Sequence, residues 1–290
     1  VNATAIVLVL SGSVAHAWWN FLVARVPDGG RVFVWIYSAL AFLLCLPLAG
    51  IVLIRSPDAL SLTLLGGSVV SAALHLAYAL SLQWGYSRSE MSVAYPVARG
   101  FAPVVVVVVA VAVLGERLSW LAVLGIAAVL GGIIIISAPR DSAGSGDRKH
   151  GSGVVAGLLI GVTIAGYTLW DDHSVNDLDL PAVPYYAGTV GCQLVLLTMA
   201  TGKRHREAVT LARAHWRTAL AVAVLTPTSY VLVLLALQIA PVSLVAPLRG
   251  TSIVIGSVLA GVLLKEPEMP RRLLGASIVL LGVVALALPA

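Results

Sequence analysis

The chain has 290 residues, is 59% hydrophobic and only 11% charged, and has a mean hydropathy of +0.99 with a formal net charge of +5. Soluble domains carry roughly a quarter charged residues, so a water-soluble fold is excluded. Nucleic acid is not indicated by the basic balance, because Lys and Arg lie scattered between hydrophobic runs and are not gathered on one domain.

A helix crossing the hydrocarbon needs about 20 mainly apolar residues. The apolar runs here are continuous rather than alternating, which selects helices over a closed barrel. They predict an all-α polytopic membrane protein of ten transmembrane helices, at roughly 3–24, 32–54, 60–82, 90–114, 119–137, 153–173, 183–201, 216–237, 242–264 and 272–288. The first run lacks a basic leader and carries polar residues of its own, so it reads as a mature helix and not as a signal peptide. In it, His16, Trp19 and Asn20 share a face at i, i+3, i+4 spacing. The second holds Cys45, a packing thiol like Cys192 in the seventh, with no Cys/His grouping that suggests a metal. The third carries His75 and Tyr78. The fourth has Tyr95 and Pro96 one turn and less before Arg99, with Pro96 as an expected helix break. The segment 138–152 is Gly/Ser-rich and charged, as expected of a linker. Tyr167 and Trp170 close the sixth helix, followed by Asp171 in an acidic stretch to Asp179 that reads as a loop. Residues 202–215 form a basic connection with helical potential, the eighth helix holds Pro227 and Tyr230, and the ninth holds Pro247, a second expected break, and Arg249.

The two halves repeat. Arg99 and Arg249, Gly100 and Gly250, Glu116 and Glu266, Gly125 and Gly275, and Gly132 and Gly282 stand at a constant offset of 150. The expected units are 1–137 and 153–290, each of five helices. An odd number per unit makes the second enter the membrane from the opposite side, so the repeats are inverted. Tyr167, Trp170 and Asp171 repeat the spacing of His16, Trp19 and Asn20 at an offset of 151. Small residues at Gly125, Ala128 and Gly132, and at Gly275, Ser277 and Gly282, permit close helix contact.

Connections after odd-numbered helices carry 14 Lys and Arg, against 2 on the other side. Basic residues are retained in the cytoplasm, which predicts a cytoplasmic linker and external termini. Arg99 and Arg249 are the two formal charges read as lying well inside apolar runs, about 25 Å along the helix from the turn glutamates at 1.5 Å per residue. Inverted symmetry brings them toward a common centre. A guanidinium there either donates to neighbouring carbonyls or meets a carboxylate or phosphate through paired donors, and no carboxylate is expected deep enough to neutralise it. With the aromatic residues, the arginines predict a cavity for a small anion or zwitterion, with His16 or His75 as proton-coupling candidates because imidazole titrates near neutral pH.

The duplicated pattern of a proline-containing helix, a Glu turn (GERLS, KEPEMPRRLLG) and a glycine-bearing helix resembles the twin EamA domains of the drug/metabolite transporter superfamily. The resemblance spans nearly the whole chain. It implies ten helices in two inverted sets, alternating access, a cavity lined by helices 1, 3, 4, 6, 8 and 9, and a structural role for Glu116 and Glu266. Four-helix cation antiporters of that superfamily use a carboxylate in the first helix, where this chain has His16 and no acid.

The leading expectation is a bacterial inner-membrane secondary transporter exporting or exchanging a small carboxylate-bearing metabolite, amino acids first. The site would comprise Arg99, Arg249, His16, Trp19, Asn20, His75, Tyr78, Tyr95, Tyr167, Trp170 and Tyr230. Expected partners are that substrate and the lipid bilayer, as monomer or homodimer, without nucleic acid, cofactor or metal. A lipophilic-cation exporter with structural arginines is the alternative within transport. A non-transporting receptor or enzyme is the alternative outside it, and no GxSxG, HExxH, Walker loop or paired membrane carboxylate supports an enzyme.

Overall fold

Water is absent from the hydrocarbon core, so every peptide group must pair within its own segment, and the chain answers with helices. The computed structural model describes residues 3–55, 57, 60–114, 119–137, 146–201, 204–237, 239 and 248–287. Among them are ten α-helices: α1 (Ala3–Ala24), α2 (Gly30–Arg55), α3 (Leu62–Tyr86), α4 (Met91–Leu114), α5 (Trp120–Ser137), α6 (Gly146–Asp172), α7 (Ala182–Thr201), α8 (His205–Leu237), α9 (Ser252–Leu263) and α10 (Met269–Ala287). Nine stretches are long and apolar enough to span a membrane, and α9 with its preceding turn makes a shorter apolar segment, Leu248–Leu263. Large apolar side chains such as Leu62 and Ile54, 87% and 81% exposed, face outward where lipid would cover them. The chain is a polytopic membrane protein.

Several expected boundaries are corrected. α6 begins at Gly146, inside the expected linker. α8 begins at His205 and absorbs the basic connection, whose Arg, Ala and Leu are good helix formers; it kinks at His215 (φ −125°, ψ 20°). Asp171 and Asp172 belong to α6, which continues into a π-helical turn at His173–Asp177, so the acidic stretch does not begin as a loop. Pro96 does not break α4, which runs on through it and through Pro103. Pro96 stands only five residues into the helix, where the carbonyl it leaves without a partner belongs to an end turn. Pro247, Glu116 and most of the linker lie outside the described residues.

The helix packing has a pseudo-twofold. α1 packs on α8 and α9, as its repeat partner α6 packs on α3 and α4; α2 packs on α8 as α7 packs on α3; and α2–α7, α4–α9 and α5–α10 pair with each other. Each contact maps onto another when every helix is exchanged for its counterpart, the behaviour of a two-fold interface. The α5–α10 crossing repeats this at atomic scale. A Cβ on Gly132 would stand 2.7 Å from the Gly275 carbonyl and one on Gly275 2.9 Å from that of Gly132, while Gly125 and Gly282 meet reciprocally at 2.9 and 2.7 Å. With lipid on the outside there is no hydrophobic gain between helices, so such backbone contact supplies much of the association.

Candidate functional site

The polar residues of α1 are organised by helical spacing. Trp19 Nε1 donates to His16 Nδ1 (3.3 Å), and Asn20 Nδ2 donates to the His16 carbonyl (2.9 Å) and lies 3.2 Å from His16 Nε2. Tyr86 of α3 donates its hydroxyl to Asn20 Oδ1 (3.2 Å), tying the two helices together around a fully buried amide. From α4, Arg99 Nη2 comes within 3.2 Å of His16 Nδ1, and the guanidinium stands 6.0 Å from the Tyr95 ring centroid. The Tyr95 ring stacks on His16 (6.4 Å between centroids, 29° between planes) and lies against Gly256 of α9, where a side chain would collide with it.

Arg249 enters from the other repeat. Ser13 of α1 donates to the carbonyls of Leu248 and Arg249 (3.3 Å each), which holds this turn against α1. The two guanidinium groups lie within electrostatic range of each other, of His16, and of Tyr95 and Tyr167. Among the described residues, neither arginine lies within 4 Å of a carboxylate.

An aromatic path continues from here. Trp19 meets Tyr78 edge-on at 6.4 Å, Tyr78 meets Tyr167 at 5.3 Å, and Tyr167 stacks on His75 at 4.3 Å. Tyr230 stacks on Tyr186 of α7 at 5.0 Å, a residue the sequence reading did not select. Trp170 commits its indole N–H to the Gly67 carbonyl of α3 (3.0 Å) and tilts over His173.

Two charged groups depart from expectation. Asp171 is a carboxylate within the bundle, its side chain 15% exposed, receiving hydroxyls from Ser71 of α3 and Tyr185 of α7 at 2.7 Å each, with His75 Nε2 3.6 Å from Oδ2. The acid expected in a loop thus lies in the last turn of α6, packed against α3 and α7, though not in ion-pair range of either arginine; its repeat position opposite buried Asn20 is the signal that pointed to it. Arg272, counted among loop cations, is 1% exposed at the start of α10 and pairs with Glu90, Glu266 and Ser92. Glu266 in turn accepts from the backbone N–H groups of Met91 (2.9 Å) and Ser92 (2.8 Å), capping α4 across the repeat boundary. Lys265 and Glu268, in the left-handed region at φ 54° and 61°, turn the chain to place it.

The result is a site with two ends. Toward the N-terminus of α4, Trp19, Asn20, Tyr86, Met91 and Tyr95 are buried beneath the Arg272 cluster. Toward the C-terminus of α6, His75 and Asp171 keep 22% and 15% of their side chains accessible. An apolar groove of about 570 Å³ lined by Leu10, Val14, Trp18 and Leu225 lies apart from these residues. Chemically, the centre offers two cations, one hydrogen-bonded carboxylate and flat aromatic walls, which suits binding better than bond-making. Residues 151–288, the second repeat, match the family model described as EamA-like transporter family. No curated protein matches the chain.

Proposed function

The chain is an EamA-type member of the drug/metabolite transporter superfamily and a membrane transporter, and on that premise we propose that it moves a small carboxylate-bearing metabolite, amino acids first among them, across a bacterial inner membrane by export or exchange. The observation that carries this reading is that Arg99 reaches His16 of α1 (3.2 Å) while the Arg249 backbone is bonded to Ser13 of the same helix, with no carboxylate in ion-pair range of either arginine among the described residues. Two like charges in a poorly solvated site repel, and an anion bound between them relieves the repulsion while taking paired N–H donors.

His16, Trp19, Asn20, Tyr78, Tyr95, Tyr167 and Tyr230 pack the remainder of the substrate, and the repeats exchange access by rocking about this centre. Loop charges favour a cytoplasmic location for the face that carries the Arg272 cluster. The repeat units on this reading are 1–137 and 153–290, and their helices pack mainly across the two halves.

A thermal-shift series on purified protein tests the substrate class. Amino acids and organic acids raise the unfolding temperature of the wild type and not of Arg99→Gln or Arg249→Gln, since a ligand of the folded state stabilises it by mass action. Stabilisation by lipophilic cations alone, unaffected by both substitutions, contradicts the reading. It would favour the cation exporter, for which the aromatic walls and Asp171 are the supporting features.

A further inference from the structure

We propose that His75 and Asp171 form a proton-binding site, separate from the paired arginines, that takes up one proton between His75 Nε2 and Asp171 Oδ2. The hydrogen bonds around the pair define it. His75 Nδ1 lies 3.1 Å from the Ser71 carbonyl, which can only accept, so Nδ1 carries the hydrogen. The Ser71 hydroxyl spends its own hydrogen on Asp171 Oδ1 (2.7 Å) and offers Nδ1 a second acceptor at 3.2 Å. Tyr185 also donates to Oδ1, at 2.7 Å. A neutral imidazole with hydrogen on Nδ1 has a lone pair on Nε2, and that lone pair faces Oδ2 across 3.6 Å. Two acceptors thus face each other, and among the described residues no hydrogen bond is donated to either Nε2 or Oδ2. A proton from water completes Nε2–H···Oδ2 and changes the pair from one net negative charge to zero.

Among the described residues, the groups around the pair are engaged elsewhere. Tyr78 on α3, Tyr167 on α6 and Tyr186 and Tyr230 on α7 and α8 present phenols at ring-contact distance in the aromatic path, Tyr185 is already committed to Oδ1, and His173 and Asp177 on the π-helical turn pair with each other at 2.7 Å. Arg99 and Tyr95 on α4 and Arg249 ahead of α9 belong to the arginine end. Glu266 and Glu90 lie in the Arg272 cluster at the other end.

On the transport reading, uptake at this site makes the bundle interior more positive, so an anion on the arginines and the proton strengthen each other's binding; linkage requires the effect to be reciprocal. That clause rests on the proposed function, whereas the proton site does not.

The test measures protons without any substrate. Full-length protein in liposomes is followed by infrared difference spectroscopy and proton counting between pH 8 and pH 5, where imidazole chemistry falls. The wild type is expected to take up one proton more than His75→Gln, and that uptake is expected to shift a carboxylate band that Asp171→Asn lacks, both variants being checked for folding by gel filtration and unfolding temperature. The Gln amide can donate to Oδ2, so His75→Gln fills the gap without a proton. Tyr185→Phe, which leaves the pair intact, keeps the uptake but moves its midpoint. Equal uptake by the wild type and His75→Gln overturns the proposal, as does uptake that leaves the Asp171 carboxylate band unmoved or a signal that follows sodium or ammonium ions and not protons. Uptake that persists in Arg99→Gln supports a separate site, even where the anion assignment fails.

Discussion

An arginine near the middle of a bilayer is stable only where polar groups or a ligand meet it, because an unpaired charge at helix centre costs about 2.5–3.5 kcal/mol on insertion scales. Arg99 has His16 and the face of Tyr95 for company, and neither supplies a negative charge. A bound carboxylate would form charge-assisted bonds of about 1.5–3 kcal/mol each. Arg99→Gln and Arg249→Gln are thus each expected to weaken an anionic ligand by roughly 10–100-fold, read as its dissociation constant, with unfolding temperature of the empty protein little changed. Lysine at either position restores only part of that affinity, since it carries charge without the planar fork. Asn20→Ala is a stability experiment instead: it strands the buried Tyr86 hydroxyl and should cost about 1–3 kcal/mol. The grouping of His16, Trp19 and Asn20 was legible because i, i+3, i+4 spacing is local. For Asp171 the helix and the repeat spacing were legible, since the expected span 153–173 contains it, but its burial was not. The bonds that define it come from residues 100 and 14 positions away.

Helix number and order were readable from uninterrupted apolar runs, yet helix ends were not, for reasons that differ by element. The basic stretch before the eighth span has ordinary helix formers, so α8 extends to His205 along a surface that hydropathy ignores. Proline was over-read, since its cost depends on where in the helix it falls. The glycines of α5 and α10 provide a test with its own control. Gly132→Ala drives a Cβ into the Gly275 carbonyl, which cannot swing aside, whereas Gly131 on the same helix has open space around it. Gly132→Ala should destabilise by about 1–3 kcal/mol as the helices part. Gly131→Ala should be neutral or slightly stabilising from helix propensity, and chemical denaturation in detergent would compare them.

At the scale of the whole molecule, the proposed alternating access would give two equivalent access states were the inverted halves identical, and on that proposal the Arg272 cluster is what breaks the balance. At offset 150, Ala122 stands in place of Arg272 and Ala240 in place of Glu90, so this ion cluster seals one face only. Removing one member of a buried charge group costs about 3–5 kcal/mol, because its partners stay buried and unpaired. Arg272→Gln should therefore loosen that face. In a background with Cys45 and Cys192 replaced by alanine, Met91→Cys should be protected from a membrane-impermeant thiol reagent and become labelled once Arg272→Gln is added; protection in both would place the closure elsewhere. The most direct measurement of the central claim is flux of labelled amino and organic acids in proteoliposomes containing the wild type, Arg99→Gln, Arg249→Gln or the double variant. The account predicts saturable flux of an anionic or zwitterionic compound in the wild type and its loss in all three variants. Flux that survives the double variant with unchanged affinity would contradict it.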